Sequence, residues 1–252
     1  MTVPPLRVLF LRLPDAPSLV VALAQAGLVA RAEGAQGIAV TIGGTAIAVR
    51  IVDAPAPRDL LEEAAAHGRG QGTPRLIEAH AAHAELRVTA STEGSGVDRL
   101  RALTQAGAAL CSAPGALALF FEPGRALTDA GEAARRLIAN PAPLPLDLWV
   151  GLRSFELADA RGWFLDTLGM AELSLPDLEA YAGDGPAVDE VARWLRMVSL
   201  HLAEQELPLS GGQTIDGPDE EPWIAIEDSA TAPPQRPVLR FVPLAVHQRE
   251  RR

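Results

Sequence analysis

Two histidines stand three positions apart and could bind a metal ion. If residues 78–83 are helical, His80 and His83 share one face, and imidazole nitrogen is a common zinc ligand. A metal site also needs a third and a fourth ligand, and no HExxH or CxxC pattern supplies them. We therefore expect a helix end with one imidazole at the surface and one packed at the entry to the next strand. Metal binding is the alternative.

Four carboxylates follow one another around Gly169-Met170, at Asp166, Glu172, Asp177 and Glu179. Two of them could act as a general acid and base or hold a cation, but their spacing matches no EF-hand loop. Charged side chains are mostly exposed, so we expect solvated strand edges and turns here. Asp166 is kept as a candidate contact for a ligand or partner.

Other reactive groups are few. The single cysteine, Cys111, follows an apolar helical pattern, which predicts a buried and inert thiol rather than a nucleophile. The glycine-rich stretches at 68–72 and 211–212 lack the P-loop pattern, and no GxSxG elbow occurs. All 22 basic residues are arginines, which excludes Schiff-base and P-loop lysine chemistry. We assign no catalytic residue and expect no cofactor and no metal.

All four tryptophans lie beyond residue 145. Tryptophan can anchor an interface, but it more often packs in a core with its N–H group satisfied. Trp194 lies one position off the apolar stripe of its predicted helix, so we expect it at the rim of a groove or in contact with a partner. Trp163 is a second candidate contact for a ligand or partner.

Composition narrows the class of partner. The 252 residues carry a net charge of −10, which disfavours nucleic acid and anionic membranes and suits a protein partner with a basic surface. The apolar runs fall short of the roughly 20 residues that span a bilayer. One cysteine cannot form an intramolecular disulfide, so we expect a cytoplasmic location.

The elements that must position these residues form two predicted lobes, and the first covers residues 1–140. Apolar runs predict strands at 6–13, 38–42, 46–52, 85–90 and 116–121. Helical spacing and end signals predict helices at 15–26, 58–67 and 96–110. Because strands and helices do not alternate regularly, the pattern favours an α+β fold with mostly antiparallel or mixed sheets packed against helices.

Three prolines within residues 140–145 predict an extended linker before a second α+β lobe at 146–245. Strands are predicted at 147–157, 162–168, 223–226 and 238–242, with a shorter apolar–acidic piece at 174–181. After a start signal at 184–186, apolar residues repeat at helical spacing and predict a helix with one face on a sheet: Val188, Val191, Leu195, Val198 and Leu202. Residues 246–252 are predicted to be a solvated tail.

Five segments in order resemble an uncharacterised bacterial family, the domain of unknown function 4261. They are residues 54–57 (APAP), 76–88 (LIEAHAAHAELRV), 143–150 (PLPLDLWV), 166–170 (DTLGM) and 175–179 (LPDLE). The chain departs from the family pattern at 68–73, where glycines stand in place of an aromatic residue. The family implies no activity. Residues 168–179 are also similar to suppressor-of-fused-like domains, many of which act as immunity or interaction proteins.

Three functions are compatible with these patterns. The first, which we favour, is a non-catalytic binding or protein-interaction module, of an accessory or immunity type. The second is a metal-assisted hydrolase that uses the two histidines and the carboxylates. The third is a small-molecule sensor with a ligand between the lobes, near Trp163 and Trp194.

Overall fold

A computed structural model describes residues 5–67, 73–92, 95–139, 144–157, 162–182, 187–205 and 209–250. The chain divides into two compact units, Met1–Trp149 and Val150–Arg252. Each unit combines helices with one sheet, which confirms the predicted α+β class. Three sequence signals lie outside the described residues: the first four residues of the proline linker, 140–143, the glycine-rich stretch 68–72 and the helix start signal 184–186.

The first unit contains an antiparallel sheet with the strand order β2-β3-β4-β5-β1-β6-β7. Its strands are β1 (Leu6–Phe10), β2 (Val29–Ala32), β3 (Gly37–Ile42), β4 (Thr45–Val52), β5 (Ala82–Ser91), β6 (Ala116–Phe121) and β7 (Ala126–Asp129). Its helices are α1 (Ala16–Gln25), α2 (Arg58–His67), α3 (Thr73–Ala79), α4 (Gly96–Leu110), α5 (Ala130–Ala139) and α6 (Leu146–Trp149). The interior position of β1, between β5 and β6, explains why all five of its residues are buried.

Helices cover both faces of this sheet. On one face, Leu9 and Phe120 pack with Leu61 of α2 and Ile77 of α3. On the other face α4 approaches closely at Gly107, where an added Cβ would lie 2.6 Å from Leu6 Cδ2. Alternate residues of a strand point to opposite faces, so the sequence Leu6 to Phe10 serves two separate apolar layers.

The strand predicted at 147–157 is wrong in its first part, because Leu146–Trp149 forms the short helix α6. Two contacts with neighbouring helices hold this turn. Asp147 accepts two hydrogen bonds from Arg136 of α5, at 2.7 and 2.8 Å. Trp149 is fully buried and donates from Nε1 to Thr104 Oγ1 of α4 at 2.7 Å. These contacts override an alternation of apolar and polar residues that is typical of a strand.

The second unit contains a mixed sheet with the order β11-β12-β13-β10-β9-β8. Its strands are β8 (Gly151–Glu156), β9 (Trp163–Leu168), β10 (Asp177–Ala182), β11 (Thr214–Asp216), β12 (Pro222–Ser229) and β13 (Pro237–Pro243). Strands β10 and β13 pair in parallel, and the other pairs are antiparallel. A single 3₁₀ turn, Met170–Leu173, connects β9 to β10.

The described residues of the second unit form two helices, α7 (Val188–Gln205) between β10 and β11 and α8 (Leu244–Glu250) after β13. Of the five residues in the predicted apolar stripe of α7, Val191, Leu195 and Leu202 are buried, and Val188 and Val198 are partly buried. The chain predicted as a tail from residue 246 is helical as far as Glu250, although its side chains at 245, 246, 248 and 249 are exposed. In the parts of the chain that the structure describes, no helix has the length and apolarity to cross a membrane.

Candidate functional site

His80 is held inside the first unit and uses both ring nitrogens. Its Nε2 accepts a hydrogen bond from the Ala56 backbone N–H at 3.0 Å, which places the proton on Nδ1. Nδ1 then donates to the carbonyl oxygen of Ile77 at 2.6 Å. A metal ion would have to displace one of these bonds, so the imidazole serves to fix the backbone.

His83 fixes the same segment from the start of β5. Its Nδ1 lies 2.8 Å from the carbonyl oxygen of Ala54, and burial lowers the pKa of the ring, so His83 is neutral near pH 7. Both histidines are buried. The expectation of one surface imidazole is therefore wrong, because both rings are needed to satisfy backbone groups of residues 54–56.

The structure also corrects the expectation of solvated carboxylates. Asp166, Asp177 and Glu179 are almost completely buried, and Glu172 is half-buried in the 3₁₀ turn. The strand register aligns four charged residues side by side across β8, β9, β10 and β13: Arg153, Asp166, Glu179 and Arg240, which we name the charged row. A buried charge is stable only beside a partner, and the register supplies one to each carboxylate.

Arginine side chains form ion pairs with the buried carboxylates of Asp166 and Asp177. Arg153 donates from Nε and Nη2 to the two oxygens of Asp166, at 2.9 and 2.6 Å. Arg236 bridges the same carboxylate to Asp177, at 2.7 and 2.8 Å. Burial raises the pKa of Asp177, against the opposing attraction of Arg236. The Met170 backbone N–H donates a hydrogen bond to the other carboxylate oxygen of Asp177, at 3.0 Å.

Glu179 attaches the loop of residues 230–236 to the sheet. It accepts hydrogen bonds from the backbone N–H of Thr231 at 2.8 Å and from Nη2 of Arg240 at 3.0 Å. Arg153 binds the same loop by donating to the carbonyl oxygen of Pro233 at 2.8 Å. The charged row therefore joins the strands of the sheet to the loop of residues 230–236. Its carboxylates are not accessible as a pair of general acid and base.

Cys111 is buried at the end of α4, which confirms the predicted burial of this thiol. Burial raises its pKa far above the ordinary value, so the thiolate needed for nucleophilic attack does not form. Among the described residues, no group of three or more His, Cys, Asp and Glu side chains is placed to hold a metal ion. The two histidines, the buried carboxylates and Cys111 thus serve packing and pairing.

The tryptophans differ in exposure. Trp149 and Trp223 are core residues, and Trp163 at the start of β9 is 36% exposed. Trp194 is buried, and it lines a groove. Its ring packs against Trp223 and Phe241, with centroids 5.3 and 5.1 Å away, and its Nε1 donates to the carbonyl oxygen of Asp216 at 2.8 Å. It joins α7 to β11.

Beside Trp194 lies a groove of about 670 Å³ between α7 and the chain that leads into and past β11. The α7 wall contains Trp194, Met197, Val198, His201, Leu202 and Gln205. The opposite wall contains Leu209, Gln213, Ile215, Asp216 and Gly217. We name this cleft the α7 groove. Its lining is mostly apolar, and Met197 projects into solvent with 60% of its surface exposed.

The turn after β11 places negative charge at one end of the α7 groove. Residues 216–221 have the sequence DGPDEE, and all four of its carboxylate residues are exposed. Asp219 accepts from Trp223 Nε1 at 3.2 Å, which fixes the turn. Gly217 permits this, because a Cβ there would lie 2.0 Å from the Trp223 ring. We name residues 216–221 the acidic turn.

Sequence reasoning found Trp194 but missed the opposite wall of the groove. The segment 209–217 offered turn glycines and a three-residue strand too short to show a period. It also missed the arginines of the buried pairs. One signal was present: Arg240 interrupts an apolar run in β13, and a charge inside a buried strand implies a buried partner.

Residues 166–242 match a protein family described as a domain of unknown function (DUF4261). The match includes both DTLGM and LPDLE, the α7 groove and the acidic turn, whereas the resembling segments at 54–57, 76–88 and 143–150 lie outside it. No curated protein and no solved structure matches the chain. The similarity to suppressor-of-fused-like domains and the bacterial origin stay predictions.

Proposed function

We propose that this chain, whose second unit carries a domain of the DUF4261 family, is a non-catalytic protein-interaction module that binds a partner through the α7 groove. The observation that carries the proposal is a contrast within one unit. The buried carboxylates form ion pairs with arginines of the same unit, whereas the apolar α7 groove beside Trp194 is open to solvent.

The absence of an assembled reactive set among the described residues supports a binding role. Catalysis by acid and base needs groups that can exchange protons with a substrate. Asp166 and Glu179 are enclosed by guanidinium groups, His80 is bonded at both nitrogens, and Cys111 stays protonated. A free thiol is compatible with a reducing compartment, so we also propose a cytoplasmic location.

The shape of the α7 groove favours a polypeptide as its occupant. The lining positions of α7 extend from Trp194 to Gln205, which is about 16 Å along the helix axis. Trp194 supplies a rigid aromatic floor, and Met197 supplies a flexible side chain that can adjust to another apolar surface. An elongated surface of this kind suits a partner segment that carries several apolar anchors.

A selection from a displayed peptide library tests the proposal. The full chain is the bait, and Met197→Arg is the counter-selecting variant, because a charge at this exposed position blocks the groove without entering the core. Val246→Arg is the matched control, since Val246 is an exposed aliphatic residue of α8 in the same unit. We expect enriched peptides that bind the wild type and the control but not Met197→Arg.

Three results would contradict the proposal. One is the absence of enriched peptides, and another is enrichment that Met197→Arg does not affect. The third is a groove that takes small apolar molecules and no peptide, which would favour the alternative function of a small-molecule sensor. A stoichiometric metal in the purified protein together with hydrolytic turnover would favour the metal-assisted hydrolase.

A further inference from the structure

We infer that the segment recognised by the α7 groove is a basic amphipathic helix of about three turns, with its basic residues placed beside the acidic turn. This inference rests on the proposed function and adds the conformation and charge of the partner. Its basis is the combination of a helical stripe of apolar residues, an unavailable strand edge and uncompensated negative charge at one end of the groove.

The α7 wall presents its lining residues with helical spacing. Relative to Trp194 they stand at positions +3, +4, +7, +8 and +11, so they form one continuous face over three turns. A second helix laid along this face covers the same length with about 11 residues, at 1.5 Å per residue. Its own anchors would repeat at i, i+3, i+4 and i+7, which is the pattern of helix-in-groove recognition.

The other wall does not offer a strand template. Strand β11 has three residues and is the end strand of its sheet. The carbonyl oxygen of Asp216 already accepts the Nε1 proton of Trp194. An extended peptide added to this edge would gain few backbone hydrogen bonds, so strand addition is disfavoured and helical docking is favoured.

The charge of the groove is one-sided. Asp216, Asp219, Glu220 and Glu221 take part in no ion pair among the residues that the structure describes. None of the residues that line the groove is an arginine, and the two arginines of this part of α7, Arg193 and Arg196, lie outside the lining. A partner with positive charge at this end would be attracted and oriented, and a partner with negative charge would be repelled.

Binding of three designed peptides to the full-length protein tests the inference. Each has about 14 residues, leucines at i, i+3, i+4 and i+7, and one charged turn at an end that is arginine-rich, glutamine-rich or glutamate-rich. Fluorescence anisotropy of labelled peptides gives the dissociation constants at low and at high salt. We expect the arginine peptide to bind at least tenfold more tightly than the glutamate peptide at low salt, with a smaller ratio at high salt.

Variants of the acidic turn measure the electrostatic contribution to peptide binding. Glu220→Arg/Glu221→Arg changes two exposed side chains and leaves Asp219, which bonds Trp223, in place. We expect this variant to reverse the order of the arginine and glutamate peptides, and Met197→Arg to abolish binding of all three. A peptide with the same composition but its leucines in alternate positions should bind at least tenfold more weakly if the partner segment is a helix.

The outcomes separate this inference from the proposed function. If library peptides bind in a Met197-dependent manner but are acidic, neutral or strand-patterned, the proposed function stands and the inference is wrong. An unchanged ratio between arginine and glutamate peptides in Glu220→Arg/Glu221→Arg would also overturn it. If no peptide of any design binds and Met197→Arg has no effect on any ligand, the proposed function itself is wrong.

Discussion

Arg153 and Asp166 lie opposite each other on adjacent antiparallel strands, and two parallel hydrogen bonds of 2.9 and 2.6 Å join their side chains. Both residues are buried. The register continues to Glu179 and Arg240, so that the two carboxylates lie side by side in the middle of the charged row with one arginine at each end. The stability of the second unit should therefore depend on each member of this row having its partner.

Removal of Asp166 tests that dependence. Asp166→Ala would leave the guanidinium groups of Arg153 and Arg236 without their shared carboxylate, and breaking a buried ion pair on one side costs about 3–5 kcal/mol. Urea unfolding followed by tryptophan fluorescence measures the loss. Asp228→Ala is the control, since Asp228 pairs with Arg240 at the surface and should cost less than about 1 kcal/mol. Equal losses in the two variants would refute the structural role of the row.

The buried imidazole of His83 makes the first unit sensitive to acid. Its folded-state pKa is lowered by burial, so its contribution to stability is complete above its unfolded pKa of about 6.5 and is lost as the pH falls from there towards the folded value. His83→Asn keeps a donor for the carbonyl oxygen of Ala54 and removes the titration. We expect the wild type to lose stability relative to this variant between about pH 7.5 and pH 5.5. Urea titrations at both pH values measure it, and parallel curves would contradict the prediction.

Gly217 is required where the Trp223 ring covers the acidic turn. In Gly217→Ala the new Cβ would lie 2.0 Å from a ring carbon, so the ring or the turn must move, at a cost of about 1–3 kcal/mol. Gly211→Ala is the matched control, because its Cβ meets the exposed side chain of Glu227 at 3.1 Å, which can move aside. Thermal unfolding compares the two variants. A control that is destabilised as much as Gly217→Ala would show that the ring contact is not the cause.

Cys111 should be inert in the folded protein. Burial raises the pKa of its thiol, so iodoacetamide finds no thiolate until the chain unfolds. Mass spectrometry should show an unmodified cysteine in buffer and a complete adduct in guanidinium chloride. Val21→Cys provides the positive control, since position 21 is exposed on α1. Native Cys111 reacting as fast as the cysteine at position 21 would contradict the prediction.

Local sequence signals identified the elements that carry their own end signals. Helix α4 begins and ends at the predicted residues, with Ser95 capping it through the backbone N–H of Asp98. Helix α1 begins one residue after Asp15, whose side chain accepts from the Ser18 N–H. Helix α6 was not predicted because the interactions that stabilise it are not local. They are the hydrogen bonds from Trp149 to Thr104 and from Arg136 to Asp147.

The same division applies to the sites. Trp194 could be singled out because its offset from an apolar stripe is visible in one helix. The partners of Asp166 could not, because Arg153 and Arg236 lie 13 and 70 positions away and only the strand register brings them together. Likewise His80 and His83 read as a pair of possible ligands, although each bonds to residues 54–56, more than 20 positions earlier.

The brevity of β11 also has a bearing on self-association. An end strand with free backbone groups is a template on which another copy of the same chain can add, and repeated addition leads to aggregation. Strand β11 has only three residues, and the neighbouring strand β12 begins with Pro222. The negative charges of the acidic turn also repel the same turn of a second molecule. At high concentration, salt that screens this repulsion should be the condition under which the protein first becomes prone to precipitate.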